Sequence, residues 1–145
     1  MNRVKKTRVM FVCLGNACRS PMAEAVARRE ASDILEISSA GLFPMGYVPE
    51  MTLQTLSRNG YSIEGLTSKP VLREELLRTG LVINMSGQSR ALALAEAGSI
   101  EDWPVADPYG EDAGVYQTIL EDIERRVKDL SERLRSDQAG KKLSS

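Results

Sequence analysis

The chain of 145 residues contains no histidine and only two cysteines, Cys13 and Cys18. A structural zinc site needs four cysteine or histidine ligands, and a serine–histidine or cysteine–histidine pair needs a histidine. Neither kind of site can be built from this sequence, and we expect no metal and no other cofactor. Any activation of a cysteine in this chain therefore has to be electrostatic.

Long apolar runs and a strong charge of one sign are also missing. No apolar run approaches the roughly 20 residues of a membrane span, and the N-terminus lacks the apolar core of a signal peptide. With 19 basic and 20 acidic residues, the formal net charge is −1, which gives no indication of nucleic-acid binding. We expect a cytoplasmic protein that binds neither nucleic acid nor membranes.

The hydrophobic pattern predicts one α/β domain over residues 1–145, with frayed tails at 1–6 and 136–145. Strands are predicted at 9–12, 35–38 and 80–86, and an edge strand at 103–106. Helices are predicted at 21–31, 50–58, 71–78, 88–97 and 113–135. Because strands alternate with helices, we expect a three-layer sandwich around a central four-stranded parallel sheet.

The strongest functional signal is the segment 9–21, VMFVCLGNACRSP. Cys13 follows the first predicted strand, and Arg19 precedes a helix start in which Ser20 suits the N-cap and Pro21 the first helical position. Loop N–H groups and the positive helix end then point at one spot, which favours a bound anion. Both the helix end and Arg19 favour a thiolate, suited to attack on phosphorus. The alternative is a buried structural cysteine.

A second candidate, Asp107, follows the last predicted strand and precedes Pro108 and Tyr109. Cleavage of a phosphate ester needs a proton donor for the leaving oxygen, and no histidine is available to supply it. The carboxyl ends of parallel strands share one edge of a sheet, so Cys13 and Asp107 should meet there. The alternative is a turn residue, because Asp-Pro pairs commonly start turns.

The run 13–20, followed by proline, resembles the phosphate-binding loop of the low-molecular-weight protein-tyrosine phosphatase family. The resemblance extends to Ser39-Ala40-Gly41, Ser68-Lys69-Pro70, Asp107-Pro108-Tyr109 and the lead into the last helix. It implies hydrolysis of phosphorylated protein side chains, phosphotyrosine first, through a cysteinyl-phosphate intermediate. The implied partners are a phosphorylated protein or peptide as substrate and inorganic phosphate as product.

The resemblance also implies roles for individual residues. Cys13 corresponds to the nucleophile, Arg19 to the residue that binds the phosphoryl oxygens, and Asp107 to the general acid. The implied phosphate-binding residues are Leu14, Gly15, Asn16, Ala17, Cys18, Arg19 and Ser20. Asn16, Ser20 and Ser39 correspond to residues that brace the loop, and Ser20 is also placed to assist the thiolate as it leaves.

The sequence departs from the family pattern at two positions. Members usually carry a histidine before the Ser-Lys pair, and here that residue is Leu66, so the bracing network must be smaller or differently made. The fourth residue after the cysteine, often Ile in phosphotyrosine enzymes and Thr in phosphoarginine enzymes of the family, is Ala17. Three aromatic residues are interpreted either as walls of a substrate cleft or as ordinary packing: Phe43, Tyr47 and Tyr109.

Several alternatives stay open at this point. One is a protein-arginine phosphatase of the same family. Another is an arsenate reductase, although those with an internal relay need a further cysteine well away from the loop. A third is a phosphate-binding module without catalysis, which would be expected to lack Cys13, Arg19 or Asp107. Cys18 is either a redox partner of Cys13 or a small buried side chain.

Overall fold

The computed structural model describes residues 5–88 and 94–143 of the chain. Its strands are β1 (Thr7–Cys13), β2 (Leu35–Gly41), β3 (Leu81–Asn84) and β4 (Ile100–Asp102). Its helices are α1 (Arg19–Ala31), α2 (Glu50–Arg58), α3 (Arg73–Leu77) and α4 (Ala113–Leu143). None of these helices combines the length and the hydrophobicity needed to cross a bilayer.

The strands form one sheet in the order β2-β1-β3-β4, and every neighbouring pair is parallel. The predicted α/β fold with a four-stranded parallel sheet is confirmed. β1 lies inside the sheet, where Val9 pairs with Ile37 on one side and with Leu81 on the other. An inner strand covered on both faces needs a continuous apolar run, and that is the pattern of residues 9–12.

Alternate residues of β1 enter two hydrophobic clusters, one on each face of the sheet. Val9 and Phe11 belong to the larger cluster, which includes apolar side chains of α1, α2 and α4. Met10 and Val12 belong to the smaller cluster, which includes Leu76 of α3. The side chains of a strand point alternately to its two faces, so one strand serves both clusters and the sheet forms the middle layer.

The fourth strand differs from the prediction of residues 103–106. The strand is Ile100–Asp102, and the last backbone bond toward β3 runs from the Trp103 N–H to the Asn84 carbonyl at 2.9 Å. The Val105 N–H then bonds back to the Trp103 carbonyl at 2.8 Å, a tight turn around Pro104, which has no N–H to donate. The apolar character of this segment reflects burial of Trp103 and Val105 and not strand pairing.

The helix boundaries also differ in part. α4 extends to Leu143, beyond the predicted end near residue 135, because the polar segment that follows contains no proline to stop a helix. Most of the helix predicted at 88–97 lies outside the described residues, and residues 94–97 form turns. Of the tails expected to fray, residues 1–4 and 144–145 lie outside the described residues as well.

Candidate active site

The loop between β1 and α1 lies at the carboxyl edge of the sheet and is held from its outer side. The carbonyls of residues 13, 14 and 15 accept hydrogen bonds from the N–H groups of Leu42, Phe43 and Met45 at 3.1, 2.8 and 2.9 Å. In the described part of the chain, no acceptor takes the backbone N–H groups of residues 14–18. A loop with outward carbonyls and unengaged N–H groups has the arrangement of an anion-binding site.

Asn16 fixes the shape of this loop. Its φ of 47° lies in the left-handed region, and it is the only residue besides glycine with a positive φ in the described part of the chain. The side chain Oδ1 accepts the Lys69 backbone N–H at 2.9 Å, and Nδ2 donates to Ser20 Oγ at 2.7 Å and to Ser39 Oγ at 3.0 Å. One buried amide thereby ties the loop to α1, to β2 and to the 67–70 segment.

Ser20 contacts the candidate nucleophile and does not cap the helix. α1 begins at Arg19, so the N-cap position falls on Cys18, which makes no side-chain capping bond. The Ser20 hydroxyl oxygen lies 2.9 Å from the sulfur of Cys13, and both side chains are buried. The prediction of Ser20 as N-cap is therefore wrong, because its hydroxyl is engaged by Asn16 and the cysteine sulfur instead.

The Arg19 side chain is only 8% exposed and is oriented by two backbone carbonyls from the segments after β3 and β4. Nη1 donates to the carbonyl of Met85, just after β3, at 2.5 Å and to that of Val105, beyond β4, at 3.2 Å. Nη2 lies 3.6 Å from Oδ2 of Asp107. Sequence reasoning missed both carbonyls, because any residue type supplies a backbone carbonyl.

Asp107 lies at the mouth of the cleft with 47% of its side chain exposed. Its Oδ1 accepts the Tyr109 backbone N–H at 3.0 Å, so the carboxylate is fixed by its own turn while Oδ2 faces Arg19. The cleft has a volume of about 330 Å³ and is lined by Cys13, Leu14, Gly15, Ala17, Cys18, Arg19, Phe43, Met45, Asp107 and Tyr109. The three residues singled out for catalysis thus share one cleft, whereas Asn16 and Ser20 are buried and do not line it.

Two of the three aromatic residues line this cleft. Phe43 and Tyr109 do so with 74% and 51% of their surface exposed. Tyr47 lies beside Tyr109 and not in the lining, and a hydrogen bond with the Tyr47 phenol raises the pKa of Tyr109. Sequence reasoning missed Met45 as a lining residue, since its loop has no periodic pattern.

Cys18 lies at the cleft with its sulfur 3.5 Å from the hydroxyl oxygen of Tyr116 on α4. Burial raises the pKa of the Cys18 thiol. Both cysteines are free thiols. The redox partnership of Cys18 with Cys13 stays a prediction.

A buried carboxylate behind the loop escaped the sequence analysis. Glu24 on α1 is 2% exposed, accepts a hydrogen bond from the Ser39 hydroxyl and pairs with Arg28 one turn later. Its signal in the sequence is an acid within the apolar run 22–27, MAEAVA. Leu66, at the position of the family histidine, packs against the larger hydrophobic cluster.

Comparison with known proteins connects this site to one family. A family model described as low molecular weight phosphotyrosine protein phosphatase matches residues 8–140. A protein of Halobacterium salinarum named "Putative arsenate reductase" is 32% identical over 142 residues, 94% of this chain and 99% of that protein. A protein-arginine-phosphatase of Bacillus subtilis is 29% identical, over 90% of this chain and 98% of that protein. The structure of an arginine phosphatase from Geobacillus stearothermophilus matches with a TM-score of 0.83 and 25% identity, covering 92% of this chain and 96% of that one.

Proposed function

The chain belongs to the low molecular weight phosphotyrosine protein phosphatase family, and we propose that it removes phosphate from phosphorylated protein side chains. The preferred substrate in this proposal is phosphotyrosine, with phosphoarginine as the alternative within the family. The proposed reaction passes through a cysteinyl-phosphate intermediate, needs no metal or other cofactor, and yields inorganic phosphate.

The observation that carries this proposal is that Cys13, Arg19 and Asp107 line one cleft, although Asp107 comes from a part of the chain distant from the other two. Transfer of a phosphoryl group needs a nucleophile, a group that binds the equatorial oxygens and a proton donor for the leaving oxygen. A thiolate, a guanidinium and a carboxyl group supply these three functions. A cleft that bound phosphate without catalysis would need only the second.

In the proposed first step, the Cys13 thiolate attacks phosphorus in line with the leaving oxygen. The sulfur–phosphorus bond forms while the bond from phosphorus to the leaving oxygen breaks, and Asp107 gives that oxygen its proton. Arg19 and the backbone N–H groups of residues 14–18 hold the equatorial oxygens. The carbonyls of Met85 and Val105 support this role, because they fix the guanidinium before substrate arrives.

In the proposed second step, water attacks phosphorus from the side that the leaving group has vacated. The Asp107 carboxylate takes a proton from this water, the sulfur–phosphorus bond breaks, and phosphate leaves. The Ser20 hydroxyl, 2.9 Å from the sulfur, can donate a hydrogen bond to the departing thiolate. Asp107 thus begins the next cycle protonated, as the first step requires.

The preference for phosphotyrosine rests on the walls of the cleft. Phe43 and Tyr109 offer exposed aromatic surface on which a flat phenyl ring can pack, and Met45 adds apolar surface beside them. The small side chain of Ala17 leaves one part of the wall open. A guanidine carries its own hydrogen-bond donors and would gain less from these apolar groups.

The experiment is a phosphatase assay with an aryl phosphate, on wild type and on Cys13→Ser. We expect phosphate release that Cys13→Ser abolishes, with orthovanadate inhibiting the wild type. A comparison of peptides that carry phosphotyrosine or phosphoarginine then decides the substrate class. Equal phosphate release from wild type and Cys13→Ser would exclude the proposed nucleophile.

Arsenate reduction is a second candidate, favoured by the name of the Halobacterium salinarum relative. Arsenate has the shape and charge of phosphate, so the same loop and thiolate can receive it. The adduct of arsenic with Cys13 would then have to be resolved by a second thiol. That thiol would be either Cys18, which lines the same cleft, or an external thiol. Formation of arsenite from arsenate with added small thiols, in an enzyme that leaves phosphopeptides intact, would favour this candidate over the phosphatase.

A further inference from the structure

We infer that Glu24 is a positioning residue of the active site, which acts through Ser39 and Asn16 on the loop that carries Cys13. This inference deepens the proposed function and rests on it for the role of Cys13. Glu24 lies outside the cleft and does not line it. Its influence on the reaction therefore has to pass through the hydrogen bonds that connect it to the loop.

The burial of Glu24 is the first argument. The Glu24 side chain is only 3% exposed on α1, and a buried carboxylate is stable only when it is paired and hydrogen-bonded. Arg28 supplies the charge, and the Ser39 hydroxyl supplies the hydrogen bond. Arg28 is itself held by the carbonyl of Glu64 at 3.2 Å. Oε1 of Glu24 thus accepts the Ser39 hydroxyl, while Oε2 faces Arg28, at the buried end of the network.

The direction of the hydrogen bonds is the second argument. The backbone N–H of Lys69 can only donate, so the group of Asn16 that faces it at 2.9 Å is the carbonyl oxygen. The Asn16 NH₂ group consequently faces Ser20 and Ser39 and donates one hydrogen to each. Both hydroxyl oxygens act as acceptors in these two bonds.

Each of the two hydroxyl groups, of Ser20 and of Ser39, then has its hydrogen left to donate. The hydrogen of Ser39 goes to the carboxylate of Glu24, which holds this hydroxyl in the orientation that accepts from Asn16. The hydrogen of Ser20 is free for the sulfur of Cys13 at 2.9 Å, a far closer acceptor than the Ala40 carbonyl at 3.5 Å. Two bonds therefore run from Asn16 through Ser39 to Glu24, and two run from Asn16 through Ser20 to the sulfur of Cys13. Glu24 accepts at one end of this network, and the Ser20 hydroxyl is left to donate to the sulfur at the other.

Glu24→Gln is the variant that tests this inference. Glutamine keeps the shape of the side chain, but its neutral amide cannot hold the hydroxyl of Ser39 and face Arg28 as a carboxylate does. We expect the alkylation of Cys13 by iodoacetate to slow roughly ten-fold. The rate is measured from the mass of the peptide that contains Cys13. With an aryl phosphate, we expect kcat to fall by a similar factor while KM changes little.

A double-mutant cycle combines Glu24→Gln with Ser39→Ala. Because Glu24 acts through Ser39, adding Glu24→Gln to Ser39→Ala should slow alkylation no further. Losses that add in the double variant would overturn the inference. The inference would also be overturned if folded Glu24→Gln kept an alkylation rate and a kcat within about two-fold of wild type, since the expected tenfold change would then be absent.

A control separates this role from general loss of stability. Glu124 on α4 is also a partly buried carboxylate that accepts from a hydroxyl, that of Tyr61, and it lies away from the cleft. Glu124→Gln should leave both rates unchanged, and an equal slowing in this variant would overturn the inference. If Glu24→Gln fails to fold, Arg28→Met decides, with slower alkylation expected and an unchanged rate as the contrary result.

Alkylation consumes no phosphorylated substrate and so distinguishes the two possible failures. A wild-type protein that does not hydrolyse the aryl phosphate contradicts the proposed function alone. The alkylation rates of the same variants still decide whether Glu24 sets the state of Cys13.

Discussion

At the scale of single residues, the contacts of Arg19 explain why the proposed reaction would need a guanidinium and not another cation of the same charge. Nη1 of Arg19 is engaged by the carbonyls of Met85 and Val105, while Nη2 faces Asp107 and the cleft. A planar group with five donors can be held by the protein on one edge and hold phosphate oxygens on another. An ammonium group cannot do both in this geometry.

We therefore predict that Arg19→Lys is severely impaired although the charge is kept. The expected loss in kcat/KM is ten-fold to a hundred-fold, of order 2 kcal/mol, as for a charge-assisted bond left unmade. The measurement is steady-state kinetics on a variant whose thermal unfolding shows that it is folded. Near-normal kinetics would mean that the arginine has another role.

Asp107 is expected to matter in proportion to how much the leaving oxygen needs a proton. Asp107→Asn should lose roughly a hundred-fold on a peptidyl phosphotyrosine, within the usual range of general acid catalysis, and clearly less on nitrophenyl phosphate. A series of aryl phosphates with leaving groups of graded pKa measures this dependence. The same loss across the whole series would make Asp107 a turn residue.

At the scale of secondary-structure elements, Gly41 at the end of β2 lies close against the loop between β1 and α1. A Cβ atom added at Gly41 would lie 2.7 Å from the backbone nitrogen of Asn16, closer than real Cβ atoms come to backbone. No side-chain movement can relieve this contact, since the neighbour is main chain. The glycine is required here by the space between two elements.

Gly41→Ala should therefore displace the loop and reduce activity along with stability. We expect at least a ten-fold loss of kcat/KM and a decrease of about 1–3 kcal/mol in the free energy of unfolding. Chemical denaturation and kinetics on the same preparation give both values. Gly114→Ala on α4 is the matched control, where the nearest atom is a carboxylate oxygen of Asp112, and it should keep full activity.

At this scale the sequence predicts the elements best where burial and pairing coincide. Periodicity predicts the helix at residues 50–58. A continuous apolar run predicts residues 9–12 of the inner strand β1. The sequence predicts the fourth strand too late, because the apolar residues Trp103 and Val105 are buried without pairing in the sheet. The residues that do pair, 100–102, are partly or fully exposed and show no apolar run. Spacing and chemistry indicated Cys13, Arg19 and Asp107, but Glu24 and the two carbonyls on Arg19 depend on long-range contacts that a linear pattern does not contain.

At the scale of the whole molecule, the parallel sheet collects the site at one edge. Cys13 ends β1, and the segment that bears Asp107 follows β4, so neither residue would be near the other without the crossovers between strands. An anion bound at this edge would lie between the loop that follows β1 and the segment that follows β4. Its binding should consequently stabilise the folded chain as a unit.

Inorganic phosphate should raise the melting temperature. At about 100 times its Kd, a ligand adds about 2.7 kcal/mol, which for a domain of this size corresponds to a shift of roughly 5–10 °C. The measurement is a thermal melt at constant ionic strength, with chloride as the control anion. A shift that persists at full size in Arg19→Lys would mean that phosphate binds elsewhere.

If the phosphoryl group passes through the sulfur of Cys13, the cysteinyl-phosphate intermediate can be trapped. Asp107→Asn turning over nitrophenyl phosphate should accumulate it, because the good leaving group needs little acid in the first step while the second step lacks its base. Quenching during turnover, followed by mass spectrometry of the peptides, should show one phosphate on the peptide that contains Cys13 and none in Cys13→Ser. Turnover without phosphate on that peptide, or with phosphate on another residue, would exclude Cys13 as the nucleophile.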